Sequence, residues 1–89
     1  MREFEIKPEL DKKLVKLSKK DKNSYESIMK KIEEVLNSSD ITHYKNLRYD
    51  MKESKRVHIG HFVLIFSYDK PKDFISFEDY DHHDVIYNR

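Results

Sequence analysis

The spacing of apolar and charged residues at the start of the chain predicts a strand followed by a helix. Phe4 and Ile6 are flanked by single charged residues, which is the period-2 pattern of a short, half-buried strand. Pro8 suits the first turn of a helix, because its missing N–H costs nothing there. A leucine stripe with helical spacing continues to about Lys20, so we expect a first helix over residues 8–20.

A second and stronger helical period follows. Its apolar side chains recur at spacings of three and four, at Tyr25, Ile28, Met29, Ile32, Val35 and Leu36. Asn23 and Glu26 stand in the positions of a capping box, in which each side chain satisfies a backbone amide at the helix start. We expect the two helices to form an antiparallel hairpin with both apolar stripes in the core, and residues 37–40 to end the second helix.

The second half of the chain predicts three strands in a meander. Apolar and β-branched runs cover residues 56–59, 62–68 and 74–80, with turns at Gly60, the only glycine, and at residues 69–73. Residues 41–54 have no clear period and form a connector, and the tail from residue 81 is expected to turn once as a helix. The middle strand is apolar on both faces, so it should be central and covered on both sides.

The predicted order of elements is β-α-α-β-β-β in a single domain, residues 1–89. Helices that precede an antiparallel meander indicate an α+β fold, with the helical hairpin packed on one face of a small, mainly antiparallel sheet. A chain of 89 residues buries one modest core. The opposite face of the sheet is left for function or for a partner.

Composition narrows the class of protein. Charged residues make up 39% of the chain, yet five Phe and six Tyr supply enough apolar area to close a small core. The chain has no cysteine, which excludes disulfides and thiolate metal ligands. The longest apolar run, residues 62–66, is too short to span a bilayer, and the first residues lack a signal-peptide pattern. We therefore expect a cytoplasmic protein without a membrane partner.

The net charge of +1 is unevenly distributed along the chain. Residues 1–57 hold 15 Lys and Arg against 11 Asp and Glu, whereas residues 58–89 hold 3 against 6. This asymmetry predicts a basic surface contributed mainly by the first half. The acidic residues near the end of the chain count against contact with RNA, because carboxylates repel phosphate. They are Glu78, Asp79, Asp81 and Asp84.

Two ordered motifs resemble those of the RelE/ParE toxin superfamily. They are Arg-Val-His-Ile-Gly-His-Phe-Val-Leu-Ile-Phe, starting at Arg56, and His-His-Asp-Val-Ile-Tyr, ending at Tyr87. The family pattern is a basic strand, a glycine turn, an apolar strand, a third strand and a terminal segment that closes in tyrosine. Residues 45–87 match it in order. The resemblance implies a RelE-like fold and a toxin held inactive by a cognate antitoxin protein.

The superfamily contains ribosome-dependent mRNA endonucleases and ParE-like poisons of DNA gyrase. In RelE-like members a Lys or Arg typically stands where Val63 stands here, and an Arg where His83 stands. The histidines of this chain are similar to those of the YafQ branch of endonucleases, in which His58, His83 and Tyr87 find counterparts. The resemblance implies a metal-independent mRNA interferase that inhibits translation and needs no cofactor. A gyrase inhibitor, or a non-cleaving member that only binds antitoxin or nucleic acid, remains an alternative.

When the 2′-hydroxyl of RNA attacks the adjacent phosphate and cleaves the strand, the reaction requires a base, an acid and a cation that stabilises the phosphorane. Histidine titrates near neutral pH, so it can serve as base or acid. Arg56 and His58 are two residues apart on one strand and should share a face of the sheet. We expect His83 and His58 to form the acid/base pair, Arg56 and Lys45 to stabilise the phosphate, and Tyr87 to stack on or orient the substrate.

Each of these residues also has an ordinary interpretation. A strand histidine such as His58 is most often a surface residue, and Arg56 and Lys45 could be solvated cations. Tyr87 could simply pack the tail onto the sheet. The functional interpretation therefore depends on whether the fold brings these side chains together.

A metal site is not expected from the spacing of the histidines. His58 and His61 are three residues apart, which on an unbroken strand places them on opposite faces. His82 and His83 are adjacent and should diverge in the same way. Without a thiolate to complete a ligand set, no metal ligands are assigned.

Overall fold

The computed structural model describes residues 2–47 and 54–88. Its elements are β1 (Glu3–Ile6), α1 (Pro8–Lys20), α2 (Lys22–Leu36), a 3₁₀ turn (Ile41–His43), β2 (Ser54–Ile59), β3 (Phe62–Asp69), β4 (Phe74–His82) and α3 (His83–Tyr87). This order confirms the predicted arrangement. Residues 48–53 of the predicted connector lie outside the described part of the chain. In the described part, no helix has the length and apolar character needed to cross a bilayer.

The four strands form one sheet in the order β1-β4-β3-β2. β1 runs parallel to β4, whereas the β4–β3 and β3–β2 pairs are antiparallel. The sheet is therefore mainly antiparallel, as predicted. β3 lies between two antiparallel neighbours, which confirms that the apolar middle strand of the meander is central.

The main core lies between the two long helices and one face of the sheet. Leu10 and Leu14 of α1 are buried there in one cluster with Leu64 and Phe66 of β3. The buried residues of α2 are Ile28, Ile32, Val35 and Leu36. The periodic stripes of the sequence are thus the core of an α+β fold, because each helix turns its apolar side toward the sheet.

A smaller core covers the opposite face of the sheet. Val63 and Ile65 of β3 are buried with Ile86 of α3, and Tyr87 packs against them. Alternate side chains of a strand project to opposite faces, so Leu64 enters the main core and its two neighbours enter this one. The middle strand is covered on both sides, as its sequence predicted.

The predicted capping box of α2 is wrong. The cap is Asp21, whose Oδ1 accepts from the amide of Ser24 at 3.1 Å and whose Oδ2 accepts from its hydroxyl at 2.6 Å. These hydrogen bonds hold the pKa of Asp21 below its ordinary value. The cap lies at Asp21 and not at Asn23 because α1 ends at Lys20 and α2 begins at Lys22, so that a single residue joins the two helices.

The last strand extends beyond its predicted end. β4 ends at His82 rather than Tyr80, because Phe62 pairs with His82 and Val63 pairs with Asp81 in the ladder with β3. Only His83–Tyr87 turn as helix α3. His82 and His83 therefore lie at a junction between a strand and a helix.

Lys13 ties α1 to the part of β4 that β1 does not cover. Its Nζ lies 2.8 Å from Asp79 Oδ1 and 2.9 Å from Asp81 Oδ2, and it donates to the carbonyl of Tyr80 at 3.0 Å. Burial opposes the lysine charge, but the two carboxylates outweigh this effect and raise the pKa of Lys13. Burial likewise opposes the charge of Asp81, and the lysine still lowers the pKa of that carboxyl.

We expect Lys13→Met to lower the free energy of unfolding by about 1–3 kcal/mol, because two partly buried carboxylates lose the ion pair with Lys13. Urea denaturation measures the change. Lys12→Met is the control, since Lys12 is an exposed residue of the same helix, and it should change the free energy by less than about 0.5 kcal/mol. Equal effects of the two substitutions would contradict the role given to Lys13.

Candidate functional site

Arg56 and His58 lie on the sheet face that α3 covers. In the antiparallel ladder Arg56 pairs with Ile65, and His58 pairs with Val63. Directly paired residues project from the same face of a sheet, and Ile65 and Val63 belong to the small core beneath α3. The two-residue spacing in the sequence thus predicted correctly that Arg56 and His58 share a face.

Tyr87 connects α3 to β2 through Arg56. Arg56 Nη1 donates a hydrogen bond to Tyr87 Oη, and the guanidinium carbon lies 5.4 Å from the centroid of the tyrosine ring. Tyr87 therefore holds the cation through both its hydroxyl and its aromatic face. Among the described residues, the buried Nε of Arg56 has no hydrogen-bond partner.

His58 and Lys45 lie beside this pair. The ring of His58 is exposed, and its centroid lies 6.5 Å from that of Tyr87. Lys45 approaches β2 from the connector, where its carbonyl accepts from the amide of Arg56 at 3.0 Å. Lys45, Arg56 and His58 line a pocket of about 280 Å³ together with neighbouring residues. Four of the five predicted site residues thus meet in one region.

His83, the fifth residue, lies at the start of α3. It precedes Tyr87 by four residues, so the two side chains are one helical turn apart on the same side of α3. The polar contacts of His83 are to His61, through its amide at 3.0 Å and its Nδ1 at 3.3 Å, and to Asp84. In the described part of the chain, none of its polar or ring contacts reaches His58.

The small core explains the absence of a cation at Val63. Val63 has no exposed surface and packs with Ile65 and Ile86. A charged side chain at this position would have to displace α3 or remain buried without a partner, and burying an unpaired charge is costly. The positive charge on this face comes instead from Arg56 and Lys45.

Two of the acidic residues that counted against RNA share a lysine, which offsets one of their two negative charges. Asp79 and Asp81 lie within 2.9 Å of Lys13 Nζ. A carboxylate paired with a lysine repels a nearby phosphate less than an isolated one does. The acidic residues of this segment therefore count less strongly against contact with RNA than the sequence alone implied.

A cluster at the junction of β4 and α3 was missed in the sequence. His82 Nδ1 accepts from the amide of Asp84 at 3.2 Å, and the rings of His82 and His83 lie 4.8 Å apart. The prediction that these adjacent histidines diverge is wrong, because strand alternation stops where β4 ends. The sequence did contain a signal for this cluster. Asp84 directly follows two histidines and lies at the start of a predicted helical turn.

Comparison with known proteins identifies the family. The chain is 49% identical over 90 residues to a Methanocaldococcus jannaschii protein named "Putative toxin RelE4", an alignment that covers all of this chain and 94% of the relative. The chain belongs to the RelE toxin superfamily. An uncharacterized protein of Methanosarcina mazei is also 49% identical over 85 residues, which cover 94% of this chain and 96% of that protein.

The fold is likewise that of a RelE toxin. The crystal structure of the isolated E. coli RelE toxin matches with a TM-score of 0.72 and 18% identity, over 92% of this chain and 84% of that one. No protein-family model matches the sequence. The resemblance based on the two RelE-like motifs is confirmed by sequence identity for the family and by structural similarity for the fold.

A double-mutant cycle tests the contact between Arg56 and Tyr87. Tyr87→Phe keeps the ring and removes the acceptor of the hydrogen bond, so we expect it to lower the free energy of unfolding by about 1 kcal/mol. In an Arg56→Met background the same substitution should have almost no effect. Urea denaturation of the four proteins measures the coupling energy. Additive effects would contradict a direct hydrogen bond.

Proposed function

We propose that this RelE-family protein is the toxin of a type II toxin–antitoxin system and cleaves mRNA on the ribosome, without a metal ion or another cofactor. The observation that carries the proposal is the grouping of Arg56, His58 and Tyr87 on one face of a RelE fold. The name of the Methanocaldococcus relative supports the toxin role. The histidines and cations of the site support the chemistry.

In the proposed reaction, the 2′-oxygen of one nucleotide attacks the adjacent phosphorus. A 2′,3′-cyclic phosphate forms and the 5′-oxygen of the next nucleotide leaves. One histidine removes the proton of the 2′-hydroxyl, and another protonates the leaving 5′-oxygen. We assign these roles to His58 and His83 as a pair.

The separation of His58 from His83 fits this reaction. In an in-line displacement, the attacking and leaving oxygens lie on opposite sides of phosphorus. The base and the acid must then flank the phosphate, and two histidines in contact with each other could not do so. A scissile phosphate beside Tyr87 would have His58 on the β2 side and His83 one turn away along α3.

Arg56 and Lys45 are proposed to stabilise the negative charge that develops on the phosphorane. A donor that is held in place before the reaction is more effective, because it does not have to reorganise. The hydrogen bond and ring of Tyr87 hold the guanidinium of Arg56 in this way. Tyr87 is therefore proposed to orient the cation, and its ring is also available to stack on a base.

The ribosome and an antitoxin are the proposed partners. A site with so few catalytic groups would cleave faster if the ribosome positioned the mRNA, because pre-positioning removes a large part of the entropic barrier to the reaction. The cognate antitoxin would keep the toxin inactive until it is removed. The proposal implies a cytoplasmic location, where translating ribosomes are found.

The test adds the protein to translating ribosomes and maps the mRNA ends. A transition-metal chelator is present, and magnesium is retained for the ribosome. We expect cuts in register with codons, and a loss of rate of about 10²–10⁴-fold in His83→Ala and in His58→Ala. Intact mRNA would contradict the proposal, and gyrase-dependent DNA breaks would support the ParE-like alternative.

Arg56→Ala and Lys55→Ala form a matched pair that separates catalysis from overall charge. Both remove one cation from β2, but Lys55 pairs with Phe66 in the ladder and its Nζ donates to Asn46 Oδ1 at 2.7 Å. We expect Arg56→Ala to reduce the cleavage rate by about 10²-fold and Lys55→Ala to leave it nearly unchanged. Equal losses in the same ribosome assay would contradict a specific role for Arg56.

A further inference from the structure

We propose that His82, His83 and Asp84 form a binding site for a divalent transition-metal ion of the Zn²⁺ type. One ligand atom from each residue lies within 4.8 Å of the other two. Two imidazole nitrogens and one carboxylate oxygen form a donor set that zinc and its first-row neighbours bind. The strand-to-helix junction brings these consecutive residues together.

His83 is oriented as a metal ligand. Its Nδ1 lies 3.3 Å from the carbonyl oxygen of His61, so Nδ1 carries the proton and donates to that oxygen. Histidines that bind metals usually donate their other ring N–H to a carbonyl or carboxylate, which fixes the tautomer. In neutral His83 the lone pair is then on Nε2, which lies 3.0 Å from Asp84 Oδ1.

This geometry calls for a positive charge between His83 and Asp84. A nitrogen lone pair and a carboxylate oxygen repel each other at 3.0 Å unless a proton or a cation lies between them. A bound metal ion supplies that charge, and it also recruits His82.

His82 supplies the third ligand. Its Nδ1 lies 3.6 Å from Asp84 Oδ2 and accepts from the amide of Asp84 at 3.2 Å. Ligand atoms around tetrahedral zinc, with bonds of about 2.0–2.1 Å, lie roughly 3.3 Å apart. The three ligand atoms, which lie within 4.8 Å of one another, would therefore move closer together when an ion binds. Binding through Nδ1 would exchange the amide hydrogen bond for a metal bond.

The site is open to solvent. The side chains of His82, His83 and Asp84 are 39%, 43% and 69% exposed. Three protein ligands leave a fourth position of zinc for water. This exposure gives an ion a path to the site.

The proposed metal would inhibit the enzyme. This consequence rests on the proposed function, in which His83 exchanges a proton with RNA. Because Nδ1 donates to the carbonyl of His61, Nε2 is the nitrogen left for that exchange. A metal ion on that nitrogen removes its lone pair and blocks proton transfer. Zinc would then act on the toxin as a reversible inhibitor and would not be a cofactor.

Calorimetric titration of the untagged protein with zinc chloride tests the site directly. We expect one ion per chain, and a loss of affinity of at least about tenfold in His82→Ala and in Asp84→Asn. His43→Ala removes an exposed histidine from the 3₁₀ turn and should retain the affinity. Circular dichroism checks that each variant is folded. Absence of binding, or equal affinity in all four proteins, would overturn the proposal.

The ribosome assay without chelator tests the inhibition separately. Zinc should slow cleavage by the wild-type protein over the concentration range in which it binds, and Asp84→Asn should require at least about tenfold more zinc. Equal zinc sensitivity of the two proteins would contradict inhibition through this site. If no mRNA is cut even with chelator, the proposed nuclease fails, and the calorimetric result still decides the metal site.

Discussion

The burial of β3 on both faces is the constraint on which the rest of the structure depends. The long helices cover Leu64 and Phe66, and α3 covers Val63 and Ile65 through Ile86. A helix of five residues is not stable alone in water. Burial of a side chain such as Ile86 contributes about 1.5–3 kcal/mol, so this contact is what keeps α3 on the sheet and brings Tyr87 to Arg56.

The same contact also determines which chemistry is available. Because Val63 is buried beneath α3, a cation at that point of β3 would be costly in this chain. The neighbouring strand supplies the charge through Arg56, and Tyr87 holds it in place. The result is a face on which Tyr87 holds one cation, Arg56, and on which His58 lies beside Tyr87.

Periodicity in the sequence was sufficient for most of the fold. The long helices, the central position of β3 and the shared face of Arg56 and His58 follow from spacings of 3.6 and 2 residues. Other features depend on pairing between distant segments. The end of β4 at His82 follows from its ladder with β3, and the contact of Tyr87 with Arg56 follows from the docking of α3. The catalytic roles of the site residues remain predictions.

The central claim is that this face promotes attack by the RNA's own 2′-hydroxyl, and the chemistry of the cut ends tests it most directly. Fragments released from the ribosome can be treated with enzymes that distinguish terminal phosphates and then sequenced. The account predicts a 2′,3′-cyclic phosphate, or the 3′-phosphate derived from it, on one side of the cut and a 5′-hydroxyl on the other. Fragments that carry a 3′-hydroxyl and a 5′-phosphate would contradict it, because water would then be the nucleophile.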